Sequence, residues 1–503
     1  MVPLGCSAAD ASYSEGTDGD GYTAPWPETN LDEEPGEAEE IEGFQPFVVV
    51  DHDPLSTFAA DVDTASYEYF RSSVGVATLP ESASVRSEEF LNYFDYEYPK
   101  PGPDDAEPFT ISLDSAKSPL GRPTTLLRVG IQGAVHPKPR VNLVFLVDTS
   151  GSMGETLAYG QAMLRETVEL LDAEDSLAIV TYAGDVDTPL PATSAANRDA
   201  IFAAIDRLSS GGSTNGEGGI QAAYAQAESA FIEDGANHII LFTDGDFNVG
   251  TSSDEGLVAL IEQKRKTGIT LTVVGTRAGY NDRMLQKVTT AGNGIHGYVG
   301  SAAEGVRYAR TQMLQTLVHI AKDVKLQVEF NPEHVFAYRL IGYENRALAD
   351  DDFRDDLVDA GEIGSGHRVT ALYELALTED DVPGDAGAPE LASGAAFAGT
   401  REIPAAALVQ VKIRYKAPNA VETDAALEVR QILTPEELST ELPDSDLAWA
   451  IAVAHYAEHL QKSPYASALD YDGLRTILSA QVGTDPLREE FLQLFDKARP
   501  LER

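Results

Sequence analysis

The sequence predicts a doubly wound, mostly parallel α/β sheet inserted into a β-sandwich formed by its two flanks, with helices at the C-terminus. Three observations predict it. Between residues 136 and 322, apolar runs alternate with helix-like stretches, and strands that read as continuous apolar runs suit a parallel sheet covered on both faces. Before that unit, Phe109–Leu113 and Leu126–Gln132 alternate with the period of half-buried strands. After it, Val324–Phe330, Val335–Tyr343, Arg368–Leu377 and Val409–Tyr415 do the same. Period-two segments on both sides of one α/β unit place that unit as an insertion.

Taken in order, residues 1–46 are rich in Asp, Glu, Gly, Ser and Pro, and the first basic residue of the chain is Arg71. Such a stretch cannot bury enough apolar surface to offset its ordering entropy, so it reads as a disordered acidic tether. The one cysteine, Cys6, sits in Leu4-Gly5-Cys6-Ser7, which has the look of a bacterial lipoprotein attachment site and makes Cys6 the expected lipidation point.

Residues 47–135 form an N-terminal segment of helices and strands. Phe58–Ser66 reads as a strand running into a helix capped by Asp63 or Thr64. Glu88–Pro99 places Phe90, Leu91 and Phe94 on one helical face and ends at Pro99.

Residues 136–322 are the α/β unit, with strands expected at 141–147, 177–182, 238–243, 270–275 and 296–299 and a closing helix from Ala302 to Ala321. Residues 323–434 are β-rich and broken by a loop near Pro383–Pro404; residues 435–503 are helical, with helices at Asp446–Gln461 and Leu487–Ala498.

Charge narrows the function. Thirty-six basic against 82 acidic residues give a formal net charge of −46, which argues against nucleic acid as a partner and favours divalent cations near the surface. No stretch approaches the length of a spanning helix, so a membrane is reached only through a lipid anchor.

The chemistry concentrates at Asp148-Thr149-Ser150-Gly151-Ser152, directly after the apolar run Leu143–Val147. A carboxylate and two hydroxyls on a tight turn at a strand end are hard oxygen ligands, suited to Mg²⁺ first, with Mn²⁺ or Ca²⁺ as alternatives. Thr214, in the glycine loop Gly211–Gly216, offers another hydroxyl, and Asp244 ends a second apolar strand. Each piece alone is an ordinary cap or turn; all three, in order and two of them at strand ends, make a site.

Here the sequence resembles the von Willebrand factor type A (vWA) domain, Rossmann-like in its winding, with a metal-ion-dependent adhesion site (MIDAS). The resemblance assigns Asp148, Ser150, Ser152, Thr214 and Asp244 as the metal ligands, with no departure from the family pattern. Asp61–Tyr67, Asn92–Tyr96, Glu329–Pro332, Tyr338–Arg346 and Asp359–Gly364 are similar to a bacterial vWA group in which an N-terminal segment precedes the domain and a C-terminal domain of unknown function follows it. Many of that group look like envelope lipoproteins. The resemblance implies a non-enzymatic, adhesion-type protein-binding module at the cell envelope, lipid-anchored or extracytoplasmic. Its partner would supply an Asp or Glu carboxylate to the held cation.

Two other classes compete. An intracellular scaffold or assembly factor would use the same metal face from the cytoplasm. A zinc peptidase would use His455-Tyr456-Ala457-Glu458-His459, with Glu489 or Glu490 as a third ligand. The apolar stripe Trp449, Val453, Tyr456 and Leu460 favours the bland reading, two surface histidines flanking an amphipathic helix. No Ser-His-Asp order, phosphate loop or dinucleotide fingerprint is present.

Overall fold

The computed structural model describes residues 44–502, apart from 61–62, 103–104, 106, 246–253, 277–281, 314–315, 421–423 and single positions at 357, 359, 386, 419, 440, 442 and 444. Cys6 and the tether up to residue 43 lie outside the described residues, as does Asp61.

The N-terminal flank runs through β1 (Val48–Val49), β2 (Leu55–Ala59), α1 (Ala65–Gly75), α2 (Ser87–Asn92), β3 (Phe109–Lys117) and β4 (Thr125–Gly133). The insertion follows as β5 (Val141–Asp148), α3 (Leu157–Leu170), β6 (Ser176–Tyr182), β7 (Val186–Ser194), α4 (Arg198–Asp206) and α5 (Gly216–Ser229). It continues with β8 (Ala236–Thr243), α6 (Asp254–Arg265), β9 (Thr270–Gly275), α7 (Asp282–Ala291), β10 (His296–Tyr298) and α8 (Ala302–Tyr308). The C-terminal flank adds β11 (His319–Phe330), β12 (Ala337–Ile341), β13 (Gly361–Gly364), β14 (Arg368–Ala376), β15 (Val409–Lys416) and β16 (Leu427–Leu433). It ends in α9 (Ser445–Leu460), α10 (Tyr471–Gln481) and α11 (Pro486–Ala498).

The insertion's sheet has the order β10-β9-β8-β5-β6-β7, parallel except for the antiparallel edge strand β7. Both flanks build the two antiparallel sheets. One has the order β1-β12-β14-β4-β3; in the other β11 lies between β15 and the pair β13 and β2. Phe58, Leu127 and Val129 from before the insertion share one buried core with Leu326, Val328, Tyr373 and Val411 from after it. A second core joins Tyr67, Phe70, Phe90 and Phe94 to Trp449, Tyr456 and Phe491. The sandwich with its inserted parallel sheet is therefore the fold, as expected.

Four local expectations are corrected. The closing helix stops at Tyr308, passes through a π-helical turn at Ala309–Met313, and the chain is already a strand at His319. Ala321 pairs with Ile363, so pairing to β13 overrides the helical pattern. Helix α2 ends at Asn92, well before Pro99, although Phe90, Leu91 and Phe94 are all buried.

Thr64 takes the N-cap position of α1 without a capping side-chain bond, and Asp63 is used elsewhere. Its carboxylate accepts from His296 N at 2.8 Å and from the Arg346 guanidinium at 2.7 Å, tying the flank to β10. Glu89 satisfies the free amide of Ser66 instead, at 2.7 Å. Finally, α9 is buried nearly all round, so its two histidines are half-buried rather than surface residues.

Candidate functional site

Strand β5 is buried at all eight positions and is flanked by β6 and β8 in parallel. From β5 the chain first builds the sheet toward β6, and later returns to the other side of β5 as β8. The winding reverses there, which is where open α/β sheets bind ligands beyond their carboxyl ends. Asp148 ends β5 and Asp244 follows β8, so the two carboxylates straddle the reversal; they are 0% and 3% exposed.

Asp148 is held by donors of no net charge. Its Oδ1 accepts from Ser150 N at 2.9 Å, and its Oδ2 accepts from the Thr243 hydroxyl at 2.9 Å and the Tyr182 hydroxyl at 3.2 Å. Burial pushes its carboxyl above the usual range, against these hydrogen bonds, and the charge of Asp244 adds to the rise. Ser150 Oγ and Ser152 Oγ lie 3.0 Å apart.

The glycine loop is fastened to this turn by two backbone bonds. Gly211 N donates to Thr149 O at 2.7 Å, and Gly151 N donates to Gly212 O at 3.1 Å. Gly212 has φ +92°, a conformation that favours glycine, whereas a Cβ at Gly151 would meet Gly212 O at an ordinary 3.5 Å. Asn215 then caps α5 by accepting from Gly218 N at 3.2 Å. Thr214, between loop and cap, is half-buried, and its hydroxyl has no protein hydrogen-bond partner among the described residues.

The donor set suits a hard cation. Ligands at about 2.1 Å in octahedral geometry have neighbouring oxygens about 3 Å apart, and the two serine oxygens are 3.0 Å apart. Asp148, Ser150 and Ser152 share one turn, Thr214 lies on the loop fastened to it, and Asp244 directly follows the neighbouring strand. Thr243 and Tyr182 are the contributors that sequence reading missed. Thr243 directly precedes Asp244, a usable signal; Tyr182 faces Asp148 only through the β5–β6 register.

The peptidase constellation does not assemble. His459 Nδ1 lies 3.0 Å from Ala466 O, and its Nε2 lies 2.7 Å from Glu502 and 3.1 Å from the Tyr471 hydroxyl. Glu458, the expected general base, is bound to Arg339 at 2.6 Å. Glu490 lies 3.8 Å from Arg71 and 3.5 Å from Arg307. His455 instead lines a cleft with Arg122, Arg339 and Glu374. Among the described residues, no group of three or more His, Cys, Asp or Glu side chains comes together as a metal site.

Comparisons with known proteins match three successive stretches of the chain. It matches the family described as "von Willebrand factor" over residues 38–128, "von Willebrand factor type A domain" over 142–307, and "Uncharacterized protein YfbK, C-terminal" over 315–501. It is 37% identical over 473 residues to a protein of Escherichia coli (strain K12) described as "Uncharacterized protein YfbK", covering 90% of this chain and 79% of that one. It is 24% identical over 231 residues to the Synechocystis protein sll0103, covering 44% of this chain and 54% of that one.

Among solved structures it is similar to a von Willebrand factor type A protein from Catenulispora acidiphila, with a TM-score of 0.41 and 16% identity over 77% of this chain and 88% of that one. It is also similar to the ArnB paralog VWA2 from Sulfolobus acidocaldarius, with a TM-score of 0.37 and 14% identity over 78% and 98%. On the extent of the Escherichia coli match, the chain belongs to the YfbK family of bacterial proteins built around a von Willebrand factor type A domain.

Proposed function

We propose that this protein is a metal-ion-dependent protein-binding module of the bacterial cell envelope. The observation that carries the proposal is the buried carboxylate of Asp148, satisfied among the described residues by neutral donors and set beside two hydroxyls at the edge length of an octahedral ion. Asp148, Ser150, Ser152, Thr214 and Asp244 would hold the cation, Mg²⁺ first. When bound, it supplies a Lewis-acidic position that a carboxylate of a partner protein can complete.

The protein residues divide the work. Ser150 and Ser152 offer neutral oxygens, so two carboxylates at most offset the ion's charge and leave it attractive to an incoming anion. Thr243 and Tyr182 fix the Asp148 carboxylate. Glu155, just beyond the turn, and Asp185 and Asp187, beside the glycine loop, are exposed and unpaired with any basic side chain among the described residues. A partner would therefore present its carboxylate within a basic surface, and its association would weaken with salt. No helix among the described residues is long and apolar enough to cross a membrane; attachment at the envelope would rest on lipidation of Cys6.

The test is thermal unfolding of the full chain after chelation, with Mg²⁺, Mn²⁺ or Ca²⁺ titrated back, for the wild type and Asp148→Ala. A cation bound only by the native state raises stability by about 2.7 kcal/mol at a hundredfold excess over its dissociation constant. The wild type should show that rise and the variant should not. A wild type indifferent to all three cations sinks the proposal.

A further inference from the structure

We propose that Tyr182 is the positioning residue of the metal site: it fixes Asp148, ties it to the helix behind Thr214, and so makes the site prefer Mg²⁺ to Ca²⁺. This rests on the metal reading above. Tyr182 ends β6, pairs in register with Asp148, and is fully buried.

It makes three different attachments there. Its hydroxyl donates to Asp148 Oδ2 at 3.2 Å. Its carbonyl oxygen accepts from Thr149 N at 2.9 Å and from the Thr149 hydroxyl at 3.2 Å, inside the ligand turn itself. Its side chain packs against α5, so close that a Cβ on Gly219 would be 2.9 Å from Tyr182 Cβ, Cγ and Cδ1. The loop that carries Thr214 runs directly into that helix. One residue therefore touches the anchoring carboxylate and the helix behind the third hydroxyl with its side chain, and the ligand turn with its backbone.

A carboxylate has about four acceptor positions. Ser150 N, Thr243 and Tyr182 occupy three on Asp148, two of them on Oδ2, so the carboxylate cannot swing or turn both oxygens to an ion. A site that cannot relax favours Mg²⁺, which demands near-ideal geometry at about 2.0–2.1 Å, over Ca²⁺, which accepts irregular shells at about 2.3–2.6 Å. Removing the hydroxyl loosens the carboxylate while the ring keeps its place in the core. Outer partners of metal ligands typically contribute about 10–100-fold in affinity.

The experiment titrates Mg²⁺ and Ca²⁺ separately into the chelated full chain and reads binding calorimetrically. The proteins are the wild type, Tyr182→Phe, and Gly219→Ala, which keeps the hydroxyl but wedges the ring off the helix. Tyr182→Phe should weaken Mg²⁺ binding by about 10-fold or more and Ca²⁺ binding by less, so the Mg²⁺/Ca²⁺ affinity ratio falls. Gly219→Ala should lower the same ratio. A Tyr182→Phe ratio equal to the wild type overturns the inference and leaves the metal site standing, because a ring that only fills the core would not move it. If Tyr182→Phe does not fold, an unchanged ratio in Gly219→Ala overturns it. A wild type that binds neither ion overturns the metal reading and this inference with it.

Discussion

Arg339, 3% exposed in the sandwich, reaches two buried carboxylates, Glu374 and Glu458, each at 2.6 Å; Asp148, also buried, in the α/β domain, is reached among the described residues by an amide and by hydroxyls. In the first region the chain supplies its own cation. Arg122 adds a second bond to Glu374 at 2.9 Å, and the Tyr465 ring lies 4.1 Å from the Arg339 guanidinium. Burial pushes Glu374 up, but the two arginines outweigh it and hold the carboxyl below its ordinary value. Burial pushes Asp148 up as well, and no arginine among the described residues answers it. A buried carboxylate with its own guanidinium is structure; one without has an opening for an ion from outside.

The comparison can be broken in four places. Arg339→Met strips Glu458 of its guanidinium partner and leaves Glu374 with Arg122 alone, and should cost about 3–5 kcal/mol in urea unfolding. That loss should be the same with and without Mg²⁺. Asp148→Asn should act the other way round. Chelated, it should be at least as stable as the chelated wild type, since it removes a disfavoured buried charge and keeps an acceptor. It should lack the increment of about 2.7 kcal/mol that the wild type gains at a hundredfold excess of Mg²⁺ over its dissociation constant. Equal Mg²⁺ increments in the two proteins would remove the distinction between the regions.

Asn215→Ala removes the cap of α5 and should cost about 1 kcal/mol by thermal unfolding, with a weakened Mg²⁺ response because Thr214 lies next to the cap. The smallest effect is in pH. The folded value for Glu374 is depressed below 4.5, so its contribution to stability is complete above the unfolded value and is lost as pH falls through the folded one. Denaturation series from pH 7 downward should show that loss in the wild type, and Arg339→Met should be flatter over the same window.

Much of this was legible in the sequence, for reasons that differ by element. Strands β5 and β8 are buried on both faces, so they stand out as apolar runs, and the hydroxyls and carboxylates after them stand out by contrast. Strand β7 was missed because it is a half-exposed edge strand containing Pro189 and Pro191, residues an edge tolerates and a central strand does not. Strand β16 was missed for its exposure, since its burial pattern has no clean inner face. The end of α8 was overrun because Leu317, Ile320 and Ala321 carry apolar character that serves either a helix face or a strand. Tyr182 and Asp63 were illegible for a deeper reason: each acts on a neighbour fixed by strand order or long-range docking, which no local pattern encodes.

The insertion also sets the order in which the protein can come into being. Gln132 reaches Gly366 across 234 positions of chain, and β4 pairs with β14, so the sandwich cannot close until the ribosome has delivered its second half. The α/β domain, whose sheet pairs entirely within itself, is complete long before then. During synthesis it stands finished while the β3–β4 hairpin waits with the other edge of β4 open, at the stage when open strand edges are most prone to misassociation. Slowing translation after residue 319 should lengthen that interval and lower the soluble yield, whereas slowing it before residue 141 should leave the yield unchanged.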